Sequence, residues 1–166
     1  MSAASASVPI GRSGSYRAIV WGGLLAGVLD LTAALVTNWP RGLSPERVLQ
    51  AIAGGVLGAE SYKGGWGTAA LGVLFHFVIA FGAAAVYYAA SRRLKFLVQW
   101  AVVCGLLYGV AVYFFMQLVV LPLSAFPHQV SFRPATLATG LIVHMLCVGL
   151  PISLAVRRHS EKSRES

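Results

Sequence analysis

Asp30, His76 and His144 are the side chains in this sequence best placed to do chemistry, because each interrupts a run of about twenty apolar residues. A carboxylate and two imidazoles held in hydrocarbon can relay a proton, pair with an ion or orient a small polar solute. Two histidines at one depth could also ligate a haem iron axially, and with the carboxylate they could hold a transition metal. Tyr113 and Gln117, in another apolar run, would add a hydroxyl and an amide to the same layer.

The elements that must carry these residues are membrane spans. Of the 166 residues 57% are hydrophobic and only 11% charged, with a mean hydropathy of +0.73, too apolar for a soluble domain of this size. Hydropathy predicts an all-α membrane protein, with four transmembrane helices in an antiparallel bundle. The spans cover about 18–37, 68–90, 96–121 and 135–156, within a membrane domain at 17–157. The first is read as a retained span rather than a signal peptide, given its length, Asp30 and the lack of a small-residue cleavage site. Residues 1–16 and 158–166 read as tails, the first rich in Ser, Ala and Gly and predicted to be disordered, the second charged and solvated with His159 at its surface.

Between the first two spans lies a segment too short to cross. Ser44 reads as a helix N-cap, Pro45 as the first helical position and Glu46 as favourable beside the helix dipole. Val48, Leu49, Ile52, Ala53, Val56 and Leu57 then share one face, opposite Arg47, Gln50, Ala51 and Gly54. This predicts a short amphipathic helix at about 45–58, interfacial or re-entrant. The glycines from Gly58 to Gly67 read as a flexible connection. The short basic connector Arg92, Arg93, Lys95 predicts that the third span returns beside the second. Pro122 should stop that span, Pro134 should open the fourth, and Pro151 should kink its end.

The charge of +8 and pI near 10.1 could suggest nucleic acid, but the basic residues flank the spans, so topology explains them and no nucleic-acid partner is predicted. Nine Lys or Arg collect on the side of the tails and four on the other. The positive-inside rule then puts both termini in the cytoplasm and the amphipathic helix on the outer side. Tyr87, Tyr88, Trp21, Trp39 and Trp100 read as interfacial anchors. Cys104 and Cys147 lie in apolar runs and read as packing residues rather than a disulfide.

Helices in lipid associate through small residues that let backbones approach. Each span has such a stripe, and each stripe carries a polar group. Gly23 and Gly27 lead to Asp30, Gly72 to His76, Gly105 and Gly109 to Tyr113 and Gln117, and Gly140 to His144. Counted from the outer end of each span, Asp30 lies ~10 Å deep, His76 and Tyr113 ~12 Å and His144 ~13 Å. One inward-facing polar layer is therefore predicted, in which Asp30 is protonated or meets a histidine, a tyrosine hydroxyl or water.

Three readings of that layer stand. It could handle protons, ions or a small solute; it could be a hydrogen-bonded clamp in a structural or partner-binding subunit, including a homo-oligomer; or His76, His144 and Asp30 could hold haem or a metal. No cofactor motif, nucleophile elbow, P-loop or zinc-protease signature is present, so enzymatic activity is not indicated.

The first span with Gly23, Gly27 and Asp30, the run from Arg41 to Gln50, the stretch Leu74-Phe75-His76-Phe77 and the stretch from Val119 to Ser124 resemble the YagU-like group of small bacterial inner-membrane proteins. The resemblance spans nearly the whole chain apart from its tails. It implies a bacterial cytoplasmic membrane and assigns no reaction or binding residue.

Overall fold

The computed structural model describes residues 12–127 and 132–165, and among them every regular element is a helix. The expectations for the tail at 1–11 and for His128 fall outside the described residues. Four helices are long and apolar enough to cross a membrane. Helix α1 is Arg12–Asn38, α2 is Pro45–Leu57, α3 is Gly65–Arg93 and α4 is a single turn at Phe96–Gln99. The third span, α5, is Ala101–Leu123, and the fourth, α6, is Pro134–Ser160, its helix continuing to Glu165.

Several boundaries correct the sequence reading. Residues 12–15 belong to α1 rather than to a tail, and the C-terminal tail is helical as far as Glu165. His159 is partly buried, with Nδ1 on the Ala155 carbonyl at 2.8 Å. The predicted third span breaks at Trp100, leaving Phe96–Gln99 as its own turn. Gly58–Lys63 is an ordered 3-10 helix, since Ser61 Oγ donates to the Gly58 carbonyl and Thr68 Oγ1 to that of Ser61.

α5 ends at Leu123, one residue past Pro122, close to the stop expected there. A π segment, Met116–Val120, stands just before that proline, and another, His144–Gly149, stands before Pro151 in α6. Each ends two residues short of its proline. Proline lacks an N–H and its ring crowds the carbonyl four residues back, and a locally wider turn relieves that crowding without ending the helix. The π segment of α6 opens at His144, seven residues before Pro151.

Large apolar side chains cover the outside: Leu74, Val78, Leu107, Leu118 and Ile142 are each more than half exposed. The inside is built from small residues. Where α5 meets α6, a Cβ on Gly149 would strike the Gly105 carbonyl, and one on Gly109 would strike that of His144. Where α1 meets α3, the rings of Phe77 and Phe81 fill the space left by Gly27 and Gly23. Gly140 receives the Tyr113 ring. Gly72 departs from the prediction, because it receives the Leu49 carbonyl of α2 rather than another span.

α1 packs against α3 and α6, and α6 against α5, but the backbones of α3 and α5 stay apart. The return of α5 beside α3 is therefore looser than the short connector suggested. Toward the termini, Tyr108 bridges this seam and Tyr87 ties α3 to α4. Tyr108 donates to the Ala83 carbonyl at 2.8 Å, Tyr87 donates to that of Leu97 at 2.9 Å, and the two rings meet edge to face at 4.9 Å. Tyr87 is only 2% exposed, in a core with Ala18, Ala84, Ile152 and Val156. It is a buried strut and not an interfacial anchor; Trp21, Trp39 and Trp100 are exposed.

Candidate functional site

Away from the termini the gap between α3 and α5 is not filled by aromatic rings. It opens into a cavity of about 510 Å³ bounded by α1, α2, α3, α5 and α6. That volume falls in the range of small-molecule sites.

α1 contributes Ala26, Asp30, Ala34 and Asn38, each four residues from the next, so one helical face is turned to the cavity. α3 contributes His76, α5 contributes Gln117 and α6 contributes His144. Measured from the ends of the observed helices, Asp30 lies about 12 Å in and the two histidines about 15 to 17 Å in. Gln117 lies in one π segment and His144 opens the other. π turns are frequent at functional sites, and by taking in an extra residue they turn the side chains that follow.

His76 and His144 are held by backbone. His76 Nε2 lies 2.9 Å from the Gly27 carbonyl across the α1–α3 contact, and His144 Nδ1 lies 3.0 Å from the Gly140 carbonyl one turn back. A carbonyl oxygen only accepts, so each of these ring nitrogens carries the hydrogen. In the neutral rings the other nitrogens, His76 Nδ1 and His144 Nε2, remain acceptors. The Tyr113 ring stands edge to face on His144 at 5.3 Å. Tyr113 is 2% exposed and does not line the cavity, so it supports His144 from behind instead of completing the polar layer.

Asp30 differs from the others. It makes no hydrogen bond or ion pair among the described residues, so of the alternatives anticipated from the cost of a carboxylate in a span, pairing with a histidine or a tyrosine hydroxyl is not found. Gln117 likewise has no hydrogen bond there. No group of three or more His, Cys, Asp or Glu side chains among the described residues could hold a metal ion, and Cys104 and Cys147 are free thiols.

Helix α2 forms one wall, with Val48, Ile52 and Gly55 on the cavity. Its N-terminus follows the sequence: Ser44 Oγ accepts from the Arg47 N–H at 3.3 Å and Pro45 opens the helix. Its buried face follows the amphipathic pattern only in part, with Val48 and Ala53 buried as expected. Gln50, assigned to the polar face, is 2% exposed and donates to Glu46 Oε1 at 3.2 Å and to the Gly65 carbonyl at 3.1 Å. Val56, on the apolar face, is 62% exposed. Small and polar residues such as Gln50 and Ala53 are buried while Val56 and Leu57, in the last turn, face outward, an arrangement that lipid surroundings favour.

Two polar lining residues escaped the sequence reading. Asn38 lies two steps of four beyond Asp30, a signal present in the sequence but passed over because Asn38 stands at the span's end. Ser124 carried no comparable signal, since the π segment before it sets its direction. No protein family, curated protein or solved structure matches this chain.

Proposed function

We propose that this membrane protein handles protons, ions or a small solute at the cavity, with Asp30 as the interacting group and His76, His144 and Gln117 around it. The carrying observation is that Asp30 lines a cavity of ligand size without a protein partner. A carboxylate kept only to clamp helices would be bonded to one of them, because an unpaired acid inside a span costs on the order of 2.5 to 3.5 kcal/mol. The proposal places the chain in a bacterial cytoplasmic membrane with both termini inside, supported by nine basic residues at the terminal side against four opposite.

The test is reconstitution of the wild type and Asp30→Asn into vesicles enclosing a pH-sensitive dye, with thermal midpoints measured in detergent. The wild type should speed collapse of an imposed pH gradient, and the variant should not, with midpoints agreeing within about 2 °C, less than 1 kcal/mol for a chain of this size. A large drop in midpoint together with an inert wild type would instead favour the structural clamp.

A further inference from the structure

The free polar groups of the cavity limit what it can take, and we infer that it binds a small protonated amine. This deepens the proposed solute site and rests on that reading. Its walls are largely hydrocarbon, from residues such as Ala26, Ile52, Ile79, Val112 and Val148. Among the described residues no Lys or Arg lines it. Asn38 donates to the Ala34 carbonyl and accepts from Arg41, while Ser124 donates to the Leu121 carbonyl. Four groups remain. The Asp30 carboxylate accepts, as do His76 Nδ1 and His144 Nε2 in the neutral rings, and the Gln117 amide can do either.

A negative charge and hydrogen-bond acceptors on one cavity with largely hydrocarbon walls complement a ligand with positive charge, N–H donors and an apolar body. An ammonium with one organic substituent has all three. Inorganic cations fit less well. A calcium ion takes six to eight oxygen ligands, far more than one carboxylate and one amide supply. A proton alone does not account for about 510 Å³ of space. A quaternary ammonium has the charge but no donors for the histidines.

The protein in phosphatidylcholine nanodiscs can be titrated calorimetrically with cyclohexylammonium, trimethylcyclohexylammonium and cyclohexanol, which share a ring and differ in charge and donors. Cyclohexylammonium should bind about tenfold tighter than either of the others. Asp30→Asn should weaken it by about tenfold or more and Asp30→Glu should retain it. In the wild type, with no variant involved, the same amine should shift the ¹⁵N resonances of His76 and His144. Equal affinity for the three compounds, unchanged amine binding in Asp30→Asn, or unmoved histidine resonances would each overturn the assignment. If the vesicle experiment still shows an Asp30-dependent flux, only the amine is wrong; if flux is also missing, the solute site falls with it.

Discussion

Tyr87 and Tyr108 at one end of the bundle and Asp30 at the other all bring polar atoms into the membrane domain, but only the tyrosines are bonded within the protein. Near the termini the Tyr108 hydroxyl ties α5 to α3 and the Tyr87 hydroxyl ties α3 to α4, around a core of Ala18, Ala84, Ile152 and Val156. Toward α2 the helices α3 and α5 leave a cavity, and its acid stands free. Polar groups satisfied internally hold helices together, whereas polar groups left free on a cavity are available to something else. Hydrogen bonds between helices occur in both regions, at the tyrosines and at His76, whose Nε2 lies 2.9 Å from the Gly27 carbonyl, and Asp30 takes part in none of them.

Four substitutions probe this contrast, and the largest effect belongs to the closest backbones. Gly149→Ala drives a Cβ into the Gly105 carbonyl, which cannot rotate aside; the bundle should lose about 3 kcal/mol, read as a thermal midpoint in detergent. Gln50→Ala removes a buried amide that bonds the Gly65 carbonyl and loosens α2 on α3, at about 2 kcal/mol. Thiol labelling of a cysteine placed at Ile52 should then become faster, and unchanged labelling would show that α2 does not close the cavity.

Tyr87→Phe should cost about 1 kcal/mol, the value of one hydrogen bond between membrane helices, and should leave vesicle flux intact. Asp30→Asn should change stability least, by under about 0.5 kcal/mol, while abolishing flux. Should Tyr87→Phe prove silent and Asp30→Asn prove destabilising, the roles assigned to the two ends would have to be exchanged.

Much of this was written in the chain. Runs of about twenty apolar residues require spans, because a backbone in hydrocarbon must satisfy its own hydrogen bonds. The glycine stripes mark where helices approach, and Ala26, Asp30, Ala34 and Asn38 at intervals of four mark a face. Placing Asp30, His76 and His144 at similar depth needed only counting at 1.5 Å per residue.

Rotation and partner choice were not legible. Hydropathy fixes depth, but lipid tails are as apolar as leucine, so the pattern alone cannot say which apolar face of a span turns inward. Tertiary packing turned Tyr87 into the core, buried Gln50 against α3 and set Gly72 against α2 rather than another span. It gave His76 to the Gly27 carbonyl instead of to Asp30, and placed π turns ahead of Pro122 and Pro151. The sequence by itself determined that an acid and two histidines lie inside the membrane. That the acid stands unpaired on a cavity was decided by tertiary structure, because it depends on how far apart α3 and α5 are held, and packed side chains set that distance.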